Sequence, residues 1–301
     1  MTSQLLTVAA AAPRVHIAAP EANAREMLAL AVENADASVI LFPELAITGY
    51  TCADLFGQTR LLEASRRWLN WLAKEAWDKG VKGLLAVGAP VPADNQLFNC
   101  LVLLHGGAPV AVVPKSCLPN YGEFYEKRWF SSSEELKRDF ISSYELFLEG
   151  DYDIPLSSKL VLNVGGEYTV GAEICEDVWT PLPPSTALCL SGAEVILNLS
   201  ASNETISKRA YRTSLIKNRS ASLFCAYAYC SAGAGESTTD LVYSGHSMIC
   251  ENGRALKETQ SLITEEALIV SDVDLGKIRH DRIKNKSFSD CAKINSIDGV
   301  L

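Results

Sequence analysis

Three apolar, strand-like segments of the sequence each end at a side chain that can take part in chemistry. These side chains are Glu44, which follows Pro43, Lys115, which follows Pro114, and Cys175. Loops at the ends of strands commonly carry functional side chains, because a rigid sheet positions them. A chain of this kind is therefore expected to fold around a sheet whose edge gathers a carboxylate, an ammonium group and a thiol.

Strand-like and helix-like segments alternate along the chain. Strands are predicted at residues 5–12, 38–42, 83–90, 97–104, 108–113, 159–163, 168–174, 194–199, 224–230, 244–250 and 267–273. Helices are predicted at residues 21–35, 61–79, 205–223 and 277–286, with another after the prolines of segment 181–184 and an irregular tail at the end. Gly106 and Gly107 separate two strands as a hairpin turn. This order predicts an α/β fold in one domain, with mixed sheets covered by helices on their outer faces.

The segment 116–158 interrupts this alternation. It is long, polar and rich in aromatic residues, and it begins directly after Lys115. Loops of such length in compact domains are usually functional or mobile. Part of an active-site wall or lid is therefore expected within this segment.

Composition restricts the class of protein and its partners. An apolar fraction of 48% with 21% charged residues is ordinary for a globular protein with a sizeable core. The 36 acidic residues outnumber the 27 basic ones, and the net charge of -9 argues against nucleic acid or an anionic membrane surface as the main partner. No stretch approaches the length of a membrane span. The N-terminal residues lack the basic region of a signal peptide, so we expect a buried first strand and a cytoplasmic protein.

The nine cysteines are expected to be buried free thiols. Their number is odd, no Cys-x-x-Cys spacing occurs, and most of them lie within apolar, strand-like segments. This pattern fits a reducing compartment better than disulfides or a zinc site. The four histidines are scattered along the chain, so no metal centre is predicted.

A thiol, a carboxylate and an ammonium group can together break an amide bond, as nucleophile, proton carrier and stabiliser of the developing oxyanion. Each residue also has a simpler interpretation when it is taken alone. Cys175 would be a small buried hydrophobe, Glu44 a cap of the next turn, and Lys115 a solvated side chain. Finding all three at strand ends favours the catalytic interpretation.

Carboxylates surround Cys175 in the sequence, at Glu173, Glu176 and Asp177. Placing them beside a core thiol would be costly without a purpose. Nearby carboxylates would also raise the pKa of the thiol, so a neighbouring cation and a dedicated base are needed to form the thiolate at neutral pH. Local sequence therefore supports Cys175 as a nucleophile.

These residues resemble the nitrilase or carbon-nitrogen hydrolase superfamily, in which Glu, Lys and Cys form a catalytic triad on a four-layer α-β-β-α sandwich. Within that superfamily the chain is most similar to the glutaminase domain of glutamine-dependent NAD synthetases. The similar stretches are residues 42–56, 114–126, 173–179, 198–203 and 235–245. The motifs Tyr-x-Glu-Phe-Tyr-Glu at 121–126 and Glu-Ser-Thr-Thr-Asp at 236–240 are typical of this branch.

The resemblance implies a role for each member of the triad. Cys175 would attack the carboxamide of glutamine, form a γ-glutamyl thioester and release ammonia. Glu44 would take the thiol proton, pass it to the leaving nitrogen and later activate the hydrolytic water. Lys115 and the backbone N–H of Glu176 would hold the tetrahedral oxyanion, and such donors typically lower the barrier by about 3 to 4 kcal/mol each.

The resemblance also implies residues that surround the triad. Glu126 matches the second, structural glutamate of the family. Tyr121, Ser202 and a basic residue six positions later would fix the amino-acid end of glutamine. That basic residue is usually arginine in the branch and is Lys208 here, which lacks the bidentate fork of arginine. Either Lys208 makes a single contact to the carboxylate, or Arg209 or Arg212 replaces it.

The implied organisation is a nitrilase-type glutamine amidohydrolase domain at residues 1–275, followed by a C-terminal helix and tail at 276–301 that lead toward an absent synthetase domain. The chain has no Ser-Gly-Gly-x-Asp-Ser pyrophosphatase loop, so it is not expected to make NAD by itself. No metal or organic cofactor is implied for this domain, and ATP would serve only the synthetase domain. The implied partners are glutamine, a synthetase domain that accepts ammonia, and further copies of the chain.

Two other functions remain open at this point. One is a free-standing amidase of the same superfamily that acts on another carboxamide. The other is a non-catalytic subunit on the same fold, against which the intact Glu44, Lys115 and Cys175 set argues. A homodimer or larger assembly is expected through the helices near 181–191 and 205–223, because members of the superfamily generally associate there.

Overall fold

The computed structural model describes residues 4–260 and 265–295. The strands, numbered in chain order, are Leu5–Ala12 (β1), Val39–Leu41 (β2), Leu84–Ala93 (β3), Gln96–His105 (β4), Ala108–Pro114 (β5), Phe140–Ser142 (β6), Asp153–Pro155 (β7), Val161–Val164 (β8), Tyr168–Ile174 (β9), Val195–Ser200 (β10), Ala226–Ser231 (β11), Met248–Glu251 (β12), Arg254–Glu258 (β13) and Ala267–Asp274 (β14). The α-helices are Pro20–Glu33 (α1), Thr59–Asp78 (α2), Pro184–Leu190 (α3), Lys208–Ser222 (α4), Leu275–Lys284 (α5) and Lys286–Asn295 (α6). None of these described helices has the length and apolar character that a membrane crossing requires.

Two six-stranded mixed sheets form the centre of the fold. The first has the strand order β14-β1-β2-β3-β4-β5, and the second has the order β13-β12-β11-β10-β9-β8. β1, β2 and β3 are parallel in the first sheet, as are β9, β10 and β11 in the second. The outer strands pair in antiparallel fashion. Because parallel strands end at the same edge, each sheet brings side chains from distant parts of the sequence to one place.

Helices cover the outer faces of the two sheets, and apolar side chains fill the spaces between the layers. The core under α1 and α2 includes Met27 and Leu72, which are buried against the first sheet. Leu101 and Leu197 belong to the core between the two sheets. Ile216 of α4 belongs to the core that covers the outer face of the second sheet. This arrangement confirms the predicted four-layer α-β-β-α sandwich with mixed sheets.

The first strand shows how the sequence specifies these layers. Val8 and Ala10 lie in the core between the sheets, whereas Ala9 and Ala11 lie in the core under the helices. Successive side chains of a strand point to opposite faces of the sheet, so a strand buried on both sides reads as a continuous apolar run. The predicted buried first strand is confirmed.

The structure differs from the sequence prediction in its polar elements. β6 and β7 form a small sheet within the segment 116–158, and β13 is an edge strand; their alternating polar residues give no apolar run to predict. The helix α4 begins three residues later than predicted, because Ser207 before it has a φ of 69°. The helix α6 occupies part of the predicted irregular tail and buries no side chain. Residues 296–301, which end the predicted C-terminal segment, lie outside the described residues.

Candidate active site

Glu44 lies in a tight turn that begins directly after β2. A Cβ atom at Gly88 of β3 would lie 2.2 Å from the backbone nitrogen of Leu45, so only glycine permits β3 to approach this turn so closely. Leu45 itself has a φ of 51°, a conformation that a leucine adopts only under constraint. The turn is thereby held against the first sheet, and Glu44 is only 1% exposed.

The two oxygens of the Glu44 carboxylate have different surroundings. Oε1 accepts hydrogen bonds from Nδ2 of Asn99 at 2.7 Å and from Nζ of Lys115 at 2.6 Å. Oε2 is buried and has no hydrogen-bond partner among the described residues. Buried carboxylate oxygens are normally paired with donors. The free Oε2 is therefore the atom that is available to take a proton.

Lys115 follows the last residue of β5 and is fully buried. Its ammonium group donates to Oε1 of Glu44 and to both carboxylate oxygens of Glu126, at 2.7 and 2.9 Å. Burial by itself would lower the pKa of the lysine, but the carboxylates of Glu126 and Glu44 together raise it well above its ordinary value. Lys115 therefore keeps its positive charge in the interior of the protein.

Glu126 is the second buried carboxylate on this lysine and is 2% exposed. Its Oε1 also accepts a hydrogen bond from the hydroxyl of Tyr50 at 2.7 Å. Burial raises the pKa of Glu126; the charge of Lys115 opposes this rise and that of Glu44 adds to it. Two carboxylates thus share one ammonium group, and the expected structural glutamate lies beside the acid and the lysine.

Cys175 begins a short 3₁₀ turn, Cys175–Trp179, directly after β9. Its φ of 44° is strained for a residue with a side chain, and such strain is often found at functional sites. The thiol is 6% exposed. Burial raises its pKa far above the ordinary range, the charges of Glu44 and Glu126 raise it further, and the charge of Lys115 lowers it. The thiol is therefore protonated at neutral pH and needs a base to become a nucleophile.

The carboxylates next to Cys175 in the sequence do not all lie near its sulfur, contrary to the sequence interpretation. Glu173 accepts hydrogen bonds from the hydroxyl of Tyr227 and from the backbone N–H of Ser185, at the start of α3. Asp177 accepts from the backbone N–H groups of Cys117 and Ile174, at 2.7 and 2.9 Å.

Both side chains hold backbone segments in place. The carboxylates that raise the pKa of the thiol are Glu44 and Glu126, which come from other parts of the chain.

A cleft of about 440 Å³ opens onto Cys175. Four of the five predicted substrate-binding residues line it, namely Tyr121, Glu176, Ser202 and Lys208. The fifth, Glu126, instead lines a neighbouring cavity of about 200 Å³. The hydroxyl of Tyr121 donates to the carboxylate of Glu176 at 2.9 Å, and burial raises the pKa of that carboxyl group.

The cleft also contains a cationic side chain that was predicted to bind substrate, Lys208. Lys208 lies 5.4 Å from the ring centre of Trp179 and 5.8 Å from that of Phe124, and it donates to Oδ1 of Asn203. Burial lowers its pKa, while the charge of the Cys175 thiolate would raise it. The cleft therefore offers a carboxylate and an ammonium group on the approach to the thiol.

The two arginines that could replace Lys208 are engaged elsewhere. Arg212 is fully buried and donates to Nδ1 of His246 at 2.7 Å, to Glu204 at 2.5 Å and to Oγ of Ser202 at 3.3 Å. Arg209 donates to the carboxylate of Glu258 at 2.9 Å and to backbone carbonyls beside it. Of the three basic residues, Lys208 is the one that lines the cleft.

Sequence reasoning missed two residues that contact the buried carboxylates of Glu44 and Glu126. Asn99 and Tyr50 donate to Glu44 and Glu126 across 55 and 76 residues of sequence, respectively. Asn99 carries a signal that could have been noticed, because it is a lone polar residue within the apolar strand β4. Tyr50 carries no such signal, since tyrosines are common in turns and cores alike.

Comparisons with known proteins find similar sequences and structures among glutamine-dependent NAD(+) synthetases. The glutamine-dependent NAD(+) synthetase of Mycobacterium tuberculosis is 37% identical over 287 residues, which cover 94% of this chain and 41% of that protein. The crystal structure of a glutamine-dependent NAD(+) synthetase from Cytophaga hutchinsonii superposes with a TM-score of 0.76 at 27% identity, over 89% of this chain and 43% of that chain. The chain therefore spans about two fifths of the length of the curated relatives it matches.

A shorter protein shares the fold. The amidase from Nesterenkonia sp. superposes with a TM-score of 0.70 at 21% identity, over 94% of this chain and 95% of that chain. At this identity the similarity shows the fold alone. A sequence profile of carbon-nitrogen hydrolases matches residues 7–283. Since the profile extends over all but the ends of the sequence, this chain belongs to the carbon-nitrogen hydrolase family.

Proposed function

We propose that this chain is a glutamine amidohydrolase that supplies ammonia for the amidation of deamido-NAD by a synthetase domain. The observation that carries the proposal is the cleft lined by Cys175, Glu176 and Lys208, together with the charges of Glu44 and Lys115, which lie close enough to the thiol to shift its pKa. Glutamine has a carboxylate and an ammonium group at one end and a carboxamide at the other. The names of the similar NAD synthetases support the same substrate.

The first half-reaction forms a thioester and releases ammonia. Oε2 of Glu44 takes the proton of Cys175, and the sulfur attacks the carboxamide carbon of glutamine. Lys115 and the backbone N–H of Glu176 stabilise the oxyanion of the tetrahedral intermediate. As the C–N bond breaks, Glu44 returns the proton to the nitrogen, and ammonia leaves.

The second half-reaction hydrolyses the thioester. Glu44 removes a proton from a water molecule, which attacks the thioester carbon beside the same oxyanion donors. The C–S bond breaks, glutamate leaves, and the proton held by Glu44 returns to Cys175. Because the thiol has a strongly raised pKa, it goes back to its neutral form after each cycle.

The substrate-binding residues would hold the amino-acid end of glutamine. Lys208 pairs with its carboxylate, and Glu176, with the hydroxyl of Tyr121, faces its ammonium group. Ser202 adds a hydroxyl at the base of the cleft, where Arg212 fixes it. Glu126 acts indirectly, because it orients Lys115.

The ammonia acceptor and the assembly are part of the proposal. ATP would serve only the synthetase domain, and the glutaminase chemistry needs no metal or organic cofactor. A homodimer or larger assembly is supported by exposed apolar side chains beside α3 and before and within α4, namely Leu182, Ile206 and Tyr211, which are 78%, 99% and 62% exposed. The cytoplasm is the proposed location. Neither nucleic acid nor a membrane is expected as a partner.

The test is ammonia release by the purified chain from glutamine and from a panel of short aliphatic amides, with and without a synthetase domain. We expect glutamine to be the best substrate, and covalent labelling by diazo-oxo-norleucine at Cys175 alone. The proposal is contradicted if the purified chain releases no ammonia under any of these conditions. The second candidate is a free-standing amidase of the same superfamily that acts on another carboxamide, which Lys208 favours because it stands where the branch usually has arginine. A preference for short aliphatic amides over glutamine would support that alternative.

A further inference from the structure

Asn99 is a fully buried polar side chain within the apolar strand β4. Leu101, two residues further, lies in the core between the sheets, and alternation along a strand turns Asn99 to the same face. Nδ2 of Asn99 donates to Oε1 of Glu44 at 2.7 Å, and its backbone carbonyl accepts from the N–H of Lys115 at 2.8 Å. One residue therefore contacts both the acid and the segment that carries the lysine.

The amide oxygen of Asn99 is buried and has no hydrogen-bond partner among the residues that the structure describes. A buried acceptor without a donor is destabilising. Asn23 provides the contrast, since its Oδ1 accepts from the N–H of His16 at 2.7 Å and its Nδ2 donates to the carbonyls of His16 and Ile47, at 2.9 and 3.1 Å. Asn23 joins two backbone segments, whereas Asn99 makes its side-chain hydrogen bond to the buried acid.

We propose that Asn99 is a positioning residue that selects which oxygen of Glu44 acts as the base. Oε1 is held by two donors, one from Asn99 and one from Lys115, so the carboxylate cannot rotate without breaking both hydrogen bonds. Oε2, which has no donor in the part of the chain that the structure describes, is left to take the proton of Cys175. This role rests on the proposed function, because it concerns the proton transfer that starts the reaction.

Loss of the Asn99 amide changes how the Glu44 carboxylate is held. The carboxylate keeps only the hydrogen bond from Lys115 on Oε1, so it gains freedom to rotate and presents Oε2 to the thiol less often. Deprotonation of Cys175 by Glu44 is then slower, because the base is in the productive orientation for a smaller fraction of the time.

The test is Asn99→Leu in the full chain, with the rate of alkylation of Cys175 by iodoacetamide measured at neutral pH by peptide mass spectrometry. In this reaction a sulfur–carbon bond forms, iodide leaves and the thiol proton goes to Glu44, so no glutamine is needed. We expect the alkylation rate to fall about tenfold. The kcat for glutamine falls about ten- to hundredfold with little change in KM, while Tm stays within about 2 °C of the wild type.

Asn23→Leu is the matched control, because it removes another buried asparagine and its backbone hydrogen bonds. It should lower Tm and leave the alkylation rate unchanged. The proposal is overturned if Asn99→Leu alkylates Cys175 at the wild-type rate, whatever its Tm. If Asn99→Leu does not fold, Asn99→Ala removes the amide donor without adding a charge, and a wild-type alkylation rate in that variant overturns the proposal equally.

The alkylation readout separates this proposal from the proposed function. Slower alkylation in Asn99→Leu supports the positioning role even if the wild-type chain does not hydrolyse glutamine, and only the proposed function then fails. Glutamine hydrolysis by the wild type, together with an unchanged alkylation rate in Asn99→Leu, overturns the positioning role alone.

Discussion

Replacement of Lys115 by methionine should destabilise the protein far more than the loss of an ordinary lysine. The ammonium group is fully buried and lies 2.6 Å from Oε1 of Glu44 and 2.7 Å from Oε1 of Glu126. Methionine fills most of the same volume but leaves two carboxylates buried without a cation. The loss of stability therefore measures the cost of uncompensated charge rather than the cost of a cavity.

The size of the effect follows from the burial of the group. Removing one partner of a buried ion pair costs about 3 to 5 kcal/mol, because the remaining charge is left without compensation. A chain of 301 residues unfolds with an entropy of about 0.6 kcal/mol per kelvin, so Tm should fall by about 5 to 8 °C. Differential scanning calorimetry measures this change directly.

The matched control is Lys74→Met, on the exposed surface of α2. Lys74 pairs with Asp78 one helical turn away and is 70% exposed. Exposed pairs contribute about 0 to 1 kcal/mol, so Tm should change by less than about 2 °C. Equal losses of Tm in Lys115→Met and Lys74→Met would refute the reasoning.

The pH dependence supplies a second check. Burial raises the pKa of Glu126 above its ordinary value of 4.5. The stability that Glu126 contributes is therefore fully present below pH 4.5 and is lost as the pH rises through the pKa of Glu126 in the folded state. Lys115 opposes this rise, and its removal should raise the folded-state pKa further. The deficit of Lys115→Met should therefore widen from acidic to neutral pH, and Glu126→Gln in the same background should narrow it. A deficit that does not change with pH would contradict this account.

Three further predictions concern single side chains. Cys175→Ala should abolish ammonia release and labelling by diazo-oxo-norleucine, whereas Cys291→Ala, at an exposed thiol, should retain full activity. Steady-state kinetics should show that Lys208→Ala raises KM for glutamine about ten- to hundredfold with a smaller change in kcat, because a hydrogen bond to a charged group is lost. In the same assay Arg209→Ala should leave KM unchanged. Burial raises the pKa of Asp177 to about 7, so its contribution to stability is present below about pH 3.8 and is lost as the pH rises through about 7. Calorimetry at several pH values should therefore find that Tm of Asp177→Asn improves relative to the wild type as the pH rises, and a constant difference would contradict this sign.

The positions of the acid, the lysine and the thiol could be predicted because each one ends an apolar strand. A run of apolar residues in the sequence predicts a strand of this kind, and a proline marks the end of two of the three strands. The four-layer architecture follows from the same signal, since strands buried on both faces need helices outside them. The polar edge strand β13 gives no such signal, and the sequence alone did not predict it.

The surroundings of the thiol could not be predicted from neighbouring residues. Glu173 and Asp177 lie within two residues of Cys175, yet hydrogen bonds turn their carboxylates toward backbone groups. The groups that act on the thiol, Glu44 and Glu126, come from distant segments. Local sequence shows which residues are adjacent along the chain, whereas the electrostatics of a buried site depend on how the sheets are stacked.

The sequence left three basic residues, Lys208, Arg209 and Arg212, as candidates for the carboxylate of glutamine, because Lys208 stands where the branch usually has arginine. In the structure α4 begins at Lys208 itself, and this side chain lines the cleft. Arg212 is one turn further into the helix and is buried. Sequence alone does not show which of these neighbouring side chains faces a cleft, because that depends on how the helix packs against the second sheet.

The reacting groups come from both halves of the sandwich: Glu44 and Lys115 from the first sheet, and Cys175 from the second. The layer between the halves is largely apolar, and hydrogen bonds also cross it, such as the one from the backbone N–H of Glu44 to the carbonyl of Ser200 at 3.3 Å. A displacement of about 1 Å between the halves would break such hydrogen bonds and misalign acid and sulfur enough to slow the reaction about a hundredfold. On warming, ammonia release should therefore fail several degrees below the calorimetric midpoint of unfolding.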